Sequence, residues 1–153
     1  MKRAALLLVG CLGACSPADF RFEDGTTGRY RDWLGNWVVI NYWAEWCTPC
    51  RQEIPELNAL YLARDREHLL IVGVNFDGIE GDDLAALVKR MNIAFPVIVG
   101  DPAEHWRYPM PGVLPTSVLI APDGTLAKTL VGPQTRASLE AAMSTMLERA
   151  TSS

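Results

Sequence analysis

Two cysteines separated by two residues form the part of the chain best suited to chemistry. Cys47 and Cys50 lie in the segment Trp46-Cys47-Thr48-Pro49-Cys50, directly after an apolar run over residues 37–43. At this spacing the two sulfur atoms can form a disulfide without large backbone movement. If a helix begins at Cys47, its unpaired N–H groups and its dipole favour the thiolate, which is the attacking species in thiol–disulfide exchange. The pattern therefore predicts a dithiol/disulfide redox centre.

Two simpler interpretations of this pair are less favoured. A closed structural zinc site needs four ligands. The other candidate ligands lack the necessary spacing, and they are Cys11, Cys15, His68 and His105. A purely structural disulfide would close only a small loop, which constrains the unfolded chain little. We therefore expect no metal, and no cofactor other than the redox-active disulfide itself.

The N-terminus has the pattern of a bacterial lipoprotein signal. Lys2 and Arg3 precede an apolar run over residues 4–12, which is typical of a secretory signal peptide and too short to span a bilayer. The run ends in Leu12-Gly13-Ala14-Cys15, which resembles a lipobox, in which the cysteine receives lipid and begins the mature chain. We expect lipidation of Cys15; a signal peptide cut elsewhere and an uncleaved anchor are the alternatives.

These segments predict the domain organisation, in which one domain follows a signal and a tether. The expected parts are a signal peptide over residues 1–14, a tether over 15–19, a domain over 20–150 and a tail over 151–153. Cys11 would leave with the signal and Cys15 would carry lipid, so that two redox-active thiols remain.

The net charge of the chain limits the classes of partner that it can bind. The formal net charge is −4, and loss of Lys2 and Arg3 with the signal would take it to −6, which does not suit nucleic acid. Ser16, rather than Asp, follows the lipid cysteine, so the signal for inner-membrane retention familiar from enteric bacteria is absent. The sequence therefore leaves open which membrane holds the protein.

Hydrophobic periodicity predicts alternating strands and helices. A hairpin of residues 20–22 and 27–30 crosses the Asp24-Gly25 turn, and Pro55 should kink the first helix. The further strands are expected at 37–43, 69–74, 95–99, 116–120 and 126–131, and the helices at 47–66, 82–91 and 135–150. This order predicts an α/β three-layer sandwich with a mixed central sheet, flanking helices and an N-terminal β-hairpin.

The combined motifs resemble the thioredoxin superfamily over about residues 20–150. They are Trp43-Ala44-Glu45-Trp46-Cys47-Thr48-Pro49-Cys50, Pro55 within a helix, Leu114-Pro115-Thr116 before a strand, and Val131-Gly132 before the last helix. The tethered form, the leading hairpin and the strand Val39-Ile40-Asn41-Tyr42-Trp43 are similar to the TlpA/ResA/DsbE group of bacterial thiol–disulfide reductases.

The resemblance implies roles for the motif residues. Cys47 would be the exposed nucleophile and Cys50 the buried resolving thiol, with Thr48 between them as part of the supporting motif. The Leu114–Pro115 bond would be cis, which turns the backbone of Leu114 toward an extended partner segment. A shallow apolar rim would surround the nucleophile, lined by Trp46, Pro49, Val113 and Leu114.

One position departs from thioredoxin. Thioredoxin carries a buried Asp in the strand before the motif, where it serves proton transfer, and this chain has Asn41, whose amide cannot take a proton. Asp77 and Glu80 are the predicted substitutes, with Glu45 as a third candidate. Solvated surface acids would be the ordinary interpretation of all three.

The signal pattern and the resemblance together predict a periplasm-facing, lipid-anchored thiol–disulfide oxidoreductase of the bacterial cell envelope. We expect a monomer that reduces protein disulfides, for example in cytochrome c maturation, and that a membrane electron donor reduces again. A disulfide-forming direction stays open, because residue types do not give the reduction potential. A copper-site assembly factor or Cu(I)-binding module, using the two thiols and Met110, is the alternative, and a thiol peroxidase is less favoured because of the Cys-x-x-Cys pair.

Overall fold

The computed structural model describes residues 17–63 and 68–151. The predicted signal peptide, the lipidation of Cys15 and the end of the first helix beyond residue 63 lie outside these residues. Within the described part of the chain, no helix is both long and apolar enough to cross a membrane.

Within residues 17–63 and 68–151, seven strands form one mixed sheet. In chain order they are β1 (Phe20–Phe22), β2 (Thr27–Gly28), β3 (Trp37–Trp43), β4 (Leu69–Asn75), β5 (Val97–Val99), β6 (Thr116–Ile120) and β7 (Leu126–Val131). Their order across the sheet is β2-β1-β5-β4-β3-β6-β7. Strands β3, β4 and β5 are parallel, whereas β1 and β6 run antiparallel to their neighbours β5 and β3. We call the carboxyl end of the three parallel strands the dithiol edge, because the cysteine pair follows β3 there.

Helices cover both faces of the sheet. They are α1 (Thr48–Ala63), α2 (Gly81–Arg90), α3 (Ala103–Trp106), α4 (Arg136–Thr151) and a 3₁₀ helix over Tyr30–Trp33. Every residue of β3 is buried, as expected for a central strand covered on both sides. Its alternate side chains enter different cores: Ile40 and Tyr42 pack with the 3₁₀ helix and α3, whereas Val39 packs with α1 and α4.

The structure confirms the predicted three-layer sandwich and its N-terminal hairpin. Strand β5 was predicted to begin at residue 95 but begins at Val97. The preceding residue, Pro96, has no N–H to donate to the ladder. Tyr30 was predicted in the hairpin but begins the 3₁₀ helix. Helix α1 runs continuously through Pro55, and the kink there stays a prediction.

Candidate functional site

Cys47 and Cys50 form a disulfide at the dithiol edge, with their Cα atoms 5.3 Å apart. Cys47 directly precedes α1, and its carbonyl accepts from the Arg51 N–H at 3.3 Å. Its sulfur accepts from the backbone N–H of Cys50 at 3.2 Å. This is the geometry of a helix N-cap, in which the side chain pairs with an otherwise unpaired N–H of the first turn. The same N–H and the helix dipole favour negative charge on that sulfur.

The two cysteines differ in accessibility less than predicted. Cys50 is fully buried, as the resemblance implied, but Cys47 is only 4 % exposed and is not the open nucleophile that we expected. The reason is packing, because both cysteines belong to an apolar cluster with Trp43, Leu84 and Val97. Of the pair, Cys47 alone retains a surface that a partner can reach.

The predicted rim contains exposed apolar side chains. Trp46 is 64 % exposed, Pro49 and Val113 are also exposed, and Leu114 is half-buried against the cluster that holds both cysteines. The Leu114–Pro115 peptide bond is cis, as the resemblance implied. Thr48 is exposed at the first position of α1. We keep the name apolar rim for Trp46, Pro49, Val113 and Leu114.

Trp46 is held by a carboxylate. Its indole N–H donates to both carboxylate oxygens of Asp77 at 3.1 Å, and its ring meets Phe76 edge to face at 6.4 Å between centroids. Asp77 and Glu80 are both exposed, and the side chain of Glu45 forms an ion pair with Arg90 at 3.3 Å. The three acids predicted for proton transfer are thus surface groups, two of them already paired with other side chains.

A different carboxylate lies in the interior. Glu53 follows Cys50 by three residues on α1, so the two side chains lie on neighbouring positions of one helix face, and Glu53 is only 1 % exposed. Its Oε2 accepts from Asn41 Nδ2 at 3.0 Å, and its Oε1 accepts from the backbone N–H of Gln134 at 2.8 Å. Burial raises the pKa of the Glu53 carboxyl, and the two hydrogen bonds act in the opposite direction.

Asn41 links this carboxyl to the sheet. Its Nδ2 also donates to Ser117 Oγ at 3.1 Å, on the neighbouring strand β6. Its Oδ1 is buried and has no hydrogen-bond partner among the described residues. The position at which thioredoxin has an Asp therefore holds the donor that binds a carboxylate from α1.

The sequence contains a signal for Glu53 that a search for acids near the ends of strands passes over. Glu53, Leu57 and Leu60 follow one another at four- and three-residue spacing, which places the acid on the buried stripe of α1. An acid within such a stripe needs hydrogen-bonding partners in the core, and Asn41 in the central strand is one of them.

Comparison with known proteins agrees with this geometry. The model of the AhpC/TSA family matches residues 16–129. The chain belongs to the AhpC/TSA family. Within it, this thioredoxin-like member is 32 % identical over 117 residues to the thiol–disulfide oxidoreductase ResA of Bacillus cereus, an alignment that covers 76 % of this chain and 67 % of ResA. The family member described here is accordingly a thiol–disulfide oxidoreductase.

Solved structures show the same fold for this AhpC/TSA member. StoA of Bacillus subtilis superimposes with a TM-score of 0.65 at 23 % identity, covering 80 % of this chain and 92 % of StoA. The exposed lipoprotein thioredoxin Etrx1 of Streptococcus pneumoniae gives a TM-score of 0.68 at 22 % identity, covering 82 % of this chain and 96 % of Etrx1. Both have the thioredoxin-like arrangement of strands and helices found here.

Proposed function

We propose that this oxidoreductase reduces disulfides in protein substrates, with Cys47 as the attacking thiolate and Cys50 as the resolving thiol. The observation that carries the proposal is the position of the Cys47 sulfur. It accepts the Cys50 N–H at the start of α1 and keeps some exposure, whereas Cys50 is fully buried. A thiolate at that position is stabilised by the helix and can be reached from the apolar rim.

The reaction needs two exchanges. The Cys47 thiolate attacks one sulfur of the substrate disulfide, whose S–S bond breaks, and the other substrate sulfur leaves as a thiolate. The Cys50 thiolate then attacks the Cys47 sulfur, which releases the second substrate sulfur and forms the Cys47–Cys50 disulfide seen in the structure. The substrate gains two electrons and the enzyme loses two.

The second exchange requires a proton acceptor for Cys50, which is buried. We assign this role to Glu53 in place of Asp77 and Glu80, because it is the buried carboxyl one turn further along α1. Because its pKa is raised, the Glu53 carboxyl exchanges its proton at a pH closer to neutral than an ordinary carboxyl does. It can therefore both accept a proton and return it.

The setting of the proposed reaction is the bacterial cell envelope. Its support is the signal and lipobox pattern, which predicts a chain anchored through lipid on Cys15 and facing the periplasm. We propose that the protein acts there as a monomer. Each turnover leaves a disulfide, so a membrane electron donor is proposed to restore the thiols. The haem-binding cysteine pair of an apocytochrome c is the proposed substrate, with no metal and no cofactor beyond the dithiol.

Trapping tests the assignment of the two thiols. In Cys50→Ser the mixed disulfide with Cys47 cannot be resolved, so incubation with an oxidised Cys-x-x-Cys-His peptide should accumulate one covalent adduct, detected by mass. The control is Cys47→Ser, which should form none. An adduct on Cys50 of the Cys47→Ser variant, and none on Cys47 of the other, would reverse the roles. Trapping in cells, followed by identification of the adduct, then tests the apocytochrome proposal.

A further inference from the structure

A cavity of about 230 Å³ opens at the dithiol edge. Two of its lining residues, Phe76 and Ile79, also pack against the cluster that holds Cys47 and Cys50. It lies where β4 and β5 end, and its walls are mainly aliphatic and aromatic. The residues that matter here are Val74, Phe76, Ile79, Ile98, Met110 and Asp101.

The cavity adjoins the apolar rim. The Phe76 N–H donates to the Trp43 carbonyl at 2.9 Å, and the Phe76 ring contacts Trp46, which precedes the nucleophile. On its other side, Met110 is exposed and lies four residues before Leu114. A substrate segment bound along the rim at Cys47 would therefore lie close to the cavity.

One carboxylate lies within the lining. Asp101 is exposed, and its Oδ1 accepts both from the Tyr42 hydroxyl at 2.5 Å and from the Ala103 N–H at 2.9 Å. The second oxygen, Oδ2, takes part in neither bond. Asp101 is thus fixed in place through one oxygen and presents the other for a ligand.

The segments that form the cavity lining carry acidic side chains and no basic ones. Residues 74–80, 98–102 and 108–111, which form and flank the lining, carry three carboxylates and neither Lys nor Arg. The three are Asp77, Glu80 and Asp101, and all are exposed. This field attracts a cationic group and repels an anionic one.

We propose that the cavity is a specificity subsite that binds a lysine or arginine side chain of the protein substrate; the inference rests on the proposed reductase function. The methylene stem of such a side chain packs on Val74, Ile98 and Met110, and its charged end meets Asp101 Oδ2 at the mouth. Apolar walls with one carboxylate match a side chain that is apolar along its length and cationic at its tip.

Peptide substrates that differ in one side chain test the subsite. Each peptide carries one disulfide and either lysine, its uncharged isostere norleucine, or glutamate, at positions scanned from two to five residues from the reactive cysteine. At the matching position we expect kcat/KM for the lysine peptide to exceed that for norleucine about tenfold, the value of a charge-assisted hydrogen bond. Glutamate should be poorest.

Three variants show how Asp101 and Met110 contribute to binding of the cationic side chain. Asp101→Asn keeps an Oδ1 acceptor for Tyr42 and Ala103 but removes the charge, so the ratio of kcat/KM for lysine to kcat/KM for norleucine should fall to about twofold or less. Asp123→Asn removes an equal charge at the far end of the sheet and should behave as wild type. Met110→Ser, at an exposed position, should lower kcat/KM for both the lysine and the norleucine peptide, because each packs its methylene stem on Met110.

The outcomes separate the two proposals. Equal rates for lysine and norleucine in the wild type, or an Asp101→Asn variant with an unchanged lysine advantage, would overturn the cationic subsite. A norleucine peptide that is best throughout would make the cavity an apolar subsite instead. If wild type reduces no peptide faster than Cys47→Ser does, the reductase function itself fails, and the subsite with it.

Discussion

The surroundings of Cys47 and Cys50 differ, although the two sulfurs are bonded to each other. Cys47 adjoins the apolar rim, in which the side chains of Trp46 and Val113 are mostly exposed to solvent. Behind Cys50 lies Glu53, fully enclosed and bonded to Asn41 and Gln134. The outer surroundings suit contact with changing partners, whereas the inner ones fix a proton-carrying group in one position. The difference suggests that substrate choice and proton transfer can be altered separately.

The largest effect should come from removing the outer thiol. Cys47→Ser replaces the thiolate by a hydroxyl, which is a far weaker nucleophile, and turnover of a peptide disulfide should fall on the order of 1,000-fold or more. Cys50→Ser should also stop turnover but retain the first exchange, visible as one equivalent of released substrate thiol. Thiol release measured by rapid mixing checks both, and a full burst from Cys47→Ser would contradict the assignment.

Glu53→Gln should slow the second exchange by about 10- to 100-fold, because a general base is lost. The fold should persist, since Asn41 can turn its amide so that the unpaired Oδ1 accepts from the new side-chain N–H. Single-turnover kinetics against pH separate the two exchanges, and only the second should change its pH profile.

Asp77→Asn is the matched control for that variant, because Asp77 was the acid predicted from the sequence. It should leave the rate of the second exchange within about twofold of wild type, since exposed acids contribute little to proton transfer inside the protein. If Asp77→Asn, and not Glu53→Gln, altered the pH profile of that exchange, Glu53 and its partners Asn41 and Gln134 would have no role in proton transfer.

Trp46→Ala should raise KM for protein disulfides about tenfold, the cost of losing an aromatic contact at an interface, without changing the rate with a small disulfide reagent. Because Trp46 is 64 % exposed, the free energy of unfolding should change by only about 0.5 kcal/mol. Trp46→Phe, which keeps a ring but loses the bond to Asp77, should be intermediate. Equal losses with both substrates would show that Trp46 acts on the thiols rather than on the partner.

The smallest effect concerns stability against pH. Above the ordinary Glu pKa of about 4.3, the unfolded chain has lost a proton that Glu53 still holds in the folded protein, because burial raises the pKa of this carboxyl. The free energy of unfolding should therefore fall as pH rises, until the folded carboxyl has also ionised. Urea unfolding of oxidised wild type and Glu53→Gln from pH 4 to pH 8 should show wild type losing stability relative to the variant. Parallel curves would mean that Glu53 ionises at its ordinary pKa.

The two sides of the dithiol were also unequally predictable. The apolar run over residues 37–43 and the spacing of Cys47 and Cys50 are local patterns. The first correctly predicted strand β3, and the second predicted the disulfide that the structure contains. Glu53 was missed because an acid is rarely buried, so its partners, which come from β3 and from the segment before α4, had to be known first. Helix α3 was also missing from the sequence prediction, because its four residues are too few to produce a periodic hydrophobic pattern.

Strand β1 begins at the dithiol edge, because Arg21 pairs with Val99 in antiparallel register and Phe20 lies beyond it. For a chain held by lipid on Cys15, the five residues 15–19 reach at most about 17 Å when fully extended. That is less than the length of β3, whose seven residues span about 23 Å. An anchored molecule would thus keep its reactive end, rather than the opposite end of the sheet, within one tether length of the lipid headgroups. Lengthening the tether would then release the thiols from the membrane surface without altering a single residue of the folded domain.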